Sequence, residues 1–158
     1  NEITWHIPYL YNYAGQPWMT QRRVRQIMDV WYGDGPLGYC GDEDYGEMAS
    51  WYVLSAMGFY TVAPGRPVYD IGCPLFEKST IDLGGGKTFT VEAPDVSAQN
   101  KYIQSATLNG RPIDRPWFTH EELQQGGTLF LQMGPRPNRS WGANPEKMPF
   151  TDHDAPKN

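Results

Sequence analysis

The hydrophobic pattern changes its period at Pro64-Gly65, and this change constrains the fold more than any other feature of the sequence. Before that point apolar residues recur every three or four positions, as they do along one face of a helix. After it, short runs alternate between apolar and polar residues, as half-buried strands do. The sequence therefore predicts an α+β fold in which helices come first and strands second.

Three helices are predicted in the first part of the chain, residues 1–62. The first covers residues 5–15, and the second begins at Pro17, because proline suits the first turn of a helix. The apolar stripe of the second helix consists of Val24, Ile27, Met28 and Trp31. The third contains the run 48–57, which is apolar on nearly every side, so we expect it to be buried. Gly58 can end this helix in the left-handed conformation.

Five strands are predicted in the second part, residues 63–142. They cover residues 68–71, 79–83, 87–92, 101–108 and 128–133. The glycine run 84–86 and Asn109-Gly110 are typical of hairpin turns, and Thr119 and Glu122 have the spacing of a helical capping box. We interpret this part as a small antiparallel sheet region packed as a sandwich, followed by an extended tail over residues 143–158.

A glycine-punctuated stretch before the third helix, residues 38–47, contains Asp42, Glu43, Asp44 and Glu47 and is called the acidic loop below. Asp44 and Glu47 are three residues apart, as in a capping box, which predicts a helix start at Asp44. The positions of glycine and glutamate do not fit an EF-hand. Carboxylates are favoured at any helix start by the helix dipole. Two interpretations therefore remain, a solvated helix cap and a functional site facing a cavity.

The charge balance narrows the possible partners. Thirteen Lys and Arg face eighteen Asp and Glu, which gives a net charge of −5 and argues against a nucleic acid partner. No apolar run reaches the roughly 18 residues of a membrane span. Aromatic residues make up 14% of the chain; such rings stack on sugar faces, but they also fill protein cores.

The two cysteines, Cys40 and Cys73, form no disulfide framework and lack the spacing of a zinc site. They could pair with each other or remain thiols, and we favour two buried thiols. The chain starts abruptly, with neither an initiator Met nor a signal peptide, which predicts a piece of a longer protein.

Several segments together carry a family resemblance. They are Asn1-Glu2 and residues 6–18, 41–46, 51–53, 58–60, 102–110 and 126–129. In order and spacing, over about residues 1–142, they are similar to glycoside hydrolase family 92, the calcium-dependent exo-acting α-mannosidases. The acidic loop departs from the family pattern, since Glu47 stands where glutamine is common and Tyr45 where cysteine is common.

The resemblance implies a C-terminal fragment of such an enzyme, made of the last helices of an (α/α)6-barrel catalytic domain and a small antiparallel β-sandwich-like region. Members of the family invert the anomeric configuration of terminal α-mannosides in mannose-rich glycans. Asp42 and Asp44 match the aspartate pair that supplies the general base. Asn1 and Glu2 match a motif at the sugar- and calcium-binding end, which implies Ca²⁺ as cofactor.

Other expected contacts are less specific. Trp5, Trp18 and Trp51 are interpreted mainly as core residues, with Trp5 as the best candidate for a sugar platform, and Glu2 as a further sugar contact. His6 is either a hydrogen-bonded structural residue or a sugar contact. The acidic loop supplies carboxylates on one side only, whereas an inverting enzyme needs an acid and a base on opposite faces of the sugar. We therefore expect the general acid upstream, in the remainder of the parent enzyme, and an inactive isolated chain.

Two functions from different classes remain open. The first is a segment of a bacterial α-mannosidase that is secreted, periplasmic or held at the cell surface. The second is a non-catalytic carbohydrate-binding or interaction module made by the sheet region, with a purely structural acidic loop. The acidic loop lies in the helical part rather than on the sheet, which favours the first.

Overall fold

The computed structural model describes residues 4–148 and confirms the α+β fold. The described helices are α1 Leu10–Tyr13, α2 Pro17–Trp31, α3 Glu47–Met57 and α4 His120–Gln125, with short 3-10 turns at Ile7–Tyr9 and Pro145–Lys147. The single helix predicted over residues 5–15 is therefore two short pieces. Pro17 begins α2 as predicted, and Gly58 ends α3 with φ at 106°.

The third helix is less buried than its composition predicts. Met48 and Trp51 are fully buried, but Val53 keeps 54% of its surface exposed. The prediction of burial on nearly every side is wrong, because the described chain covers α3 along one face only. On α2, likewise, Val24 and Met28 are buried while Trp31 is 55% exposed.

The strands form two sheets. The three-stranded sheet has the order β1 Phe59–Tyr60, β2 Val68–Ile71, β7 Trp117–Thr119. The five-stranded sheet has the order β3 Lys78–Asp82, β4 Thr88–Glu92, β8 Gly127–Gly134, β5 Tyr102–Leu108, β6 Arg111–Ile113. All pairs are antiparallel except β4 and β8, which are parallel. The expectation of a purely antiparallel sheet is thus wrong. Parallel strands need a long connection between them, and the chain from β4 to β8 provides it with three strands and α4.

The predicted turns are confirmed. The glycine run 84–86 connects β3 to β4, and Asn109-Gly110 connects β5 to β6 with both residues at positive φ. The Thr119 side chain and the Glu122 carboxylate form the predicted reciprocal capping box of α4. The five predicted strands are present within a residue of their expected bounds, while the short β1, β6 and β7 were not predicted.

The buried apolar residues form two clusters, one among the helices around Trp51 and one between the sheets around Phe118. Polar contacts join the helical elements to one another and to the five-stranded sheet. The Tyr9 hydroxyl shares a 2.9 Å hydrogen bond with Ser55 Oγ, and Gln21 Oε1 accepts one of 3.0 Å from the Ile103 amide. The helices and the sheets therefore pack against each other, and the acidic loop lies at the start of α3.

Three smaller predictions can be compared with the structure. Both cysteines are free thiols, and Cys73 is buried, but Cys40 is exposed, so the expectation of two buried thiols is wrong for Cys40. In the predicted tail, residues 145–147 form a 3-10 turn, and residues 149–158 lie outside the described part. Within residues 4–148, no helix combines the length and apolarity that crossing a membrane requires.

Candidate active site

The acidic loop enters α3 through three consecutive residues in the left-handed region. The φ angles are 52° at Asp44, 57° at Tyr45 and 94° at Gly46. Gly46 is the N-cap residue, and it provides no side-chain cap. The predicted capping box is therefore wrong, since a capping side chain needs an extended backbone that Asp44 does not have. A left-handed Asp is tolerated more easily than a left-handed Tyr, so the loop carries strain at Tyr45.

Glu43 is the residue that caps the helix, and the sequence did not identify it. Its carboxylate accepts hydrogen bonds of 2.5 Å from the Gly46 amide and 3.2 Å from the Ala49 amide. Its carbonyl oxygen accepts a further one of 3.2 Å from the Met48 amide. The first amides of a helix have no partner within the helix. Glu43 therefore stabilises both the start of α3 and the left-handed turn before it.

The two predicted base residues flank Glu43. Asp42 is exposed, and Asp44 is partly exposed. Because Glu43 turns to the helix start, the capping role that was the competing explanation for Asp44 is filled by another side chain. The structure thus keeps both aspartates at the surface of the loop, where water can reach at least Asp42.

A cavity of about 530 Å³ lies beside the loop, between the end of α2 and the first turns of α3. The residues that line it include the tyrosines at positions 32, 39 and 52 and most of the glycine-rich segment 33–38, Asp34 among them. Tyr32 stacks on Trp51 with 5.8 Å between ring centroids and donates a hydrogen bond to the Met48 carbonyl. Neither Asp42 nor Asp44 is among the lining residues.

Trp5 lies in the helical core rather than on an open surface. It is 4% exposed, and its ring lies 5.0 Å from Trp51 and 6.2 Å from Tyr32 between centroids. Its carbonyl accepts a 3.0 Å hydrogen bond from Trp51 Nε1. Its own Nε1 is buried and has no hydrogen-bond partner among the described residues. Trp5 also lines a second cavity of about 370 Å³, together with Tyr11, Arg23 and Trp31.

The remaining predicted contacts are placed as follows. His6 is partly exposed, and its carbonyl begins the 3-10 turn by accepting from the Tyr9 amide at 2.9 Å. Trp18 is only partly buried and lies under the Arg139 guanidinium at 5.0 Å, so it is not a core residue. Trp51 is a core residue, as predicted. Trp5 therefore packs against α3, the helix that follows the acidic loop.

The predicted metal residues, Asn1 and Glu2, lie outside the described residues. Across residues 4–148, no group of three or more His, Cys, Asp or Glu is arranged to hold a metal ion. Calcium takes six to eight oxygen ligands. The acidic loop does not fit that requirement, because the Glu43 carboxylate is already bound by two backbone amides.

Comparison with known proteins identifies relatives over almost the whole chain. Residues 1–135 match the model of the glycosyl hydrolase family 92 catalytic domain. A family GH92 inverting mannosidase from Bacteroides thetaiotaomicron is 50% identical, with a TM-score of 0.89 over 96% of this chain and 20% of that chain. A family GH92 α-mannosidase from the same bacterium is 34% identical, with a TM-score of 0.90 and the same coverage.

A curated relative also matches nearly the whole of this chain. An "uncharacterized secreted glycosidase" of Arthroderma benhamiae is 38% identical over 152 residues, which are 94% of this chain and 20% of that protein. The chain therefore spans about a fifth of the length of the relatives it matches.

Proposed function

Since this chain belongs to glycosyl hydrolase family 92, as its sequence pattern indicated, we propose that it is a segment of an inverting exo-α-mannosidase. The observation that carries the proposal is the 50% identity to an inverting mannosidase over 96% of this chain. In this proposal the helices complete an (α/α)6 barrel, and the sheets form its β-sandwich-like partner. The substrate is a terminal α-mannoside of a mannose-rich glycan.

A separate binding module is the weaker alternative. The family model is that of a catalytic domain, and it runs through the helices and through the five-stranded sheet to residue 135. One catalytic-domain model that spans the helices and the sheet therefore favours the enzyme segment over a separate sheet module. The relative described as secreted supports a parent protein that acts outside the cytoplasm.

In the proposed mechanism, Asp42 and Asp44 supply the general base. One carboxylate takes a proton from a water molecule, whose oxygen attacks the anomeric carbon from the face opposite the leaving group. A glutamic acid from outside this chain protonates the departing oxygen at the same time. The two carboxyl groups of an inverting pair stand roughly 6.5–9.5 Å apart to leave room for the water. The exposed position of Asp42 and the partial exposure of Asp44 are compatible with this role.

Sugar binding in the proposal involves Glu2, Trp5 and His6. Trp5 is 4% exposed and packs against Trp51 on α3, so a sugar contact would involve the part of Trp5 that borders the cavity of about 370 Å³. Calcium is proposed as a cofactor held by Asn1, Glu2 and further ligands from the remainder of the parent enzyme. When bound, calcium would hold the mannose hydroxyls in place, whereas the proton transfers involve only the carboxyl groups.

The experiment is to incubate the full-length parent protein, called the intact protein below, with an aryl α-mannoside and to follow the released sugar by proton NMR. The proposal predicts β-mannose as the first product, no cleavage of the matched β-mannoside, and loss of activity on chelation of calcium. Appearance of α-mannose first would rule out inversion, and cleavage of only a different sugar would rule out the mannosidase assignment.

The 158-residue chain alone is expected to release no aryl group. Protonation of the leaving oxygen is worth roughly 10²–10⁴-fold, and correct positioning of the substrate can be worth more. Release above a buffer blank that disappears in an Asp44→Ala variant would show that this chain contains its own acid.

A further inference from the structure

Asp70 is a buried carboxyl group at the contact between the helices and the three-stranded sheet. It lies on β2, paired with Tyr60 of β1 and Trp117 of β7, and only 1% of its surface is exposed. Its carboxylate accepts a 3.1 Å hydrogen bond from Asn12 Nδ2 and another of 3.1 Å from the Tyr13 hydroxyl. Both donors belong to α1, so this carboxyl group joins α1 to the sheet.

The cluster around Asp70 contains more acceptors than donors. Asn12 Nδ2 also points at the carbonyls of Ile71 and Pro116, both at 3.2 Å, so its two N–H groups serve three acceptors. Asn12 Oδ1 is buried, with no hydrogen-bond partner in the described part of the chain. A buried acceptor without a donor is costly. A proton on Asp70 would remove a negative charge and add one donor to this acceptor-rich cluster.

Among the described residues, the ionisable side chains packed around Asp70 are tyrosines, which carry no positive charge. The 3-10 turn contributes Tyr9, α1 contributes Tyr13 and β1 contributes Tyr60, while residues 117–119 of β7 carry no ionisable side chain. The exposed Arg66 lowers the pKa of Tyr13 electrostatically, against the larger rise that burial causes. Burial raises the pKa of Asp70 to about 7, although hydrogen bonds from Asn12 and Tyr13 oppose the rise.

We propose that Asn12, Asp70 and Tyr13 form a pH-sensitive latch, which holds the helical segment on the sheet tightly when Asp70 is protonated and more weakly when it is ionised. The latch acts on α1, which follows the Trp5–His6 segment and precedes α2. Its release would therefore loosen the part of the chain that carries two of the candidate sugar contacts. This inference does not depend on the mannosidase proposal.

The direction of the pH effect follows from proton linkage. The folded protein binds a proton at Asp70 more tightly than the unfolded chain does, because the pKa of Asp70 is raised from 3.8. The stabilisation is complete below the unfolded pKa and is lost progressively as the pH rises toward 7. The Asp70→Asn side chain cannot titrate and keeps one acceptor oxygen, so it retains one of the two hydrogen bonds that Asn12 and Tyr13 donate to Asp70.

The test uses the intact protein and compares wild type, Asp70→Asn and a control, Asp82→Asn, which removes an exposed carboxylate from β3. Amide hydrogen exchange in residues 10–13, corrected for intrinsic rates, is measured from pH 5 to pH 8. We expect protection to fall by at least about 10-fold in wild type and in Asp82→Asn, and to stay nearly constant in Asp70→Asn. Equal pH responses in wild type and Asp70→Asn would overturn the proposal.

A second variant covers the case in which Asp70→Asn does not fold. Tyr13→Phe removes one hydrogen bond to the ionised carboxylate and leaves the ring in place. The carboxylate then ionises at higher pH, so the loss of protection should extend to higher pH than in wild type. A pH response identical to that of wild type in this variant would also overturn the latch.

Discussion

Removal of the Glu43 carboxylate should loosen the start of α3 without unfolding the protein. In Glu43→Ala the amides of Gly46 and Ala49 lose the acceptor that binds them at 2.5 and 3.2 Å. The left-handed turn at Asp44 and Tyr45 then loses the contacts that oppose its strain. We expect a local opening of this loop, and with it a change in the positions of both candidate base residues.

The size of the effect follows from the two hydrogen bonds. A hydrogen bond to a charged group contributes about 1.5–3 kcal/mol. Glu43 is partly exposed, so water replaces part of what is lost, and we take about 2 kcal/mol for both bonds together. Since 1.4 kcal/mol is a factor of ten, exchange of the Gly46 and Ala49 amides should accelerate by roughly 30-fold. Turnover should fall as well, but less than in variants of the aspartates.

The assay is hydrogen exchange of peptides covering residues 44–50 in the intact protein. The matched control is Glu47→Ala, which removes the same charge from the same turn but leaves both hydrogen bonds of Glu43 in place. The control loses the interaction of Glu47 with the helix dipole, about 0.3–1 kcal/mol, and its electrostatic effect on Tyr60. Glu43→Gln, which keeps one acceptor oxygen, should fall between the two. Equal exchange in Glu43→Ala and Glu47→Ala would refute the assignment of Glu43 as the cap.

Two further predictions concern the packing of α3 and the electrostatics of α4. Trp51→Ala should lower the free energy of unfolding by about 3–5 kcal/mol, because the ring is fully buried. Val53→Ala, at an exposed position on the same helix, should lower it by less than about 1 kcal/mol. Chemical denaturation measures both values, and equal losses would contradict the burial of Trp51. Burial raises the pKa of Glu122, but its hydrogen bonds to Arg115 and Thr119 outweigh this and lower the pKa overall, so its stabilisation is present above the unfolded pKa and is lost as the pH falls through the folded pKa. Glu122→Gln should therefore flatten the acid side of the melting-temperature profile, and an unchanged profile would show that the pair is not coupled to folding.

Local sequence patterns were sufficient where neighbouring residues determine the structure. The strand Val68–Ile71 and the turn at Asn109-Gly110 follow from alternation and turn chemistry, and both are present as predicted. The parallel pairing of β4 with β8 could not be predicted, because strand partners are chosen by packing across the whole chain. Strands of two or three residues carry too little alternation to be recognised.

The acidic loop shows a different limit. The spacing of Asp44 and Glu47 fits a capping box, yet the backbone of Asp44 is left-handed, and Glu43 caps the helix through its longer side chain. A pattern of residue types does not give the backbone conformation that decides whether Asp44 or Glu43 caps the helix. Burial of Asp70 was equally invisible, since a polar residue in an alternating strand predicts exposure. The proposed roles of Asp42 and Asp44 rest on the family resemblance, which follows from the order of motifs along the chain rather than from local chemistry.

Turnover of an aryl α-mannoside by Asp42→Asn and Asp44→Asn variants of the intact protein tests the central claim most directly. Asn is nearly isosteric with Asp but cannot accept a proton from water. A positioned general base contributes at least about 10²-fold, so kcat should fall by that factor or more in the variant of the residue that acts as base, and Glu47→Ala should stay close to wild type. Near-normal kcat in both aspartate variants would contradict the assignment of the acidic loop as the source of the catalytic base.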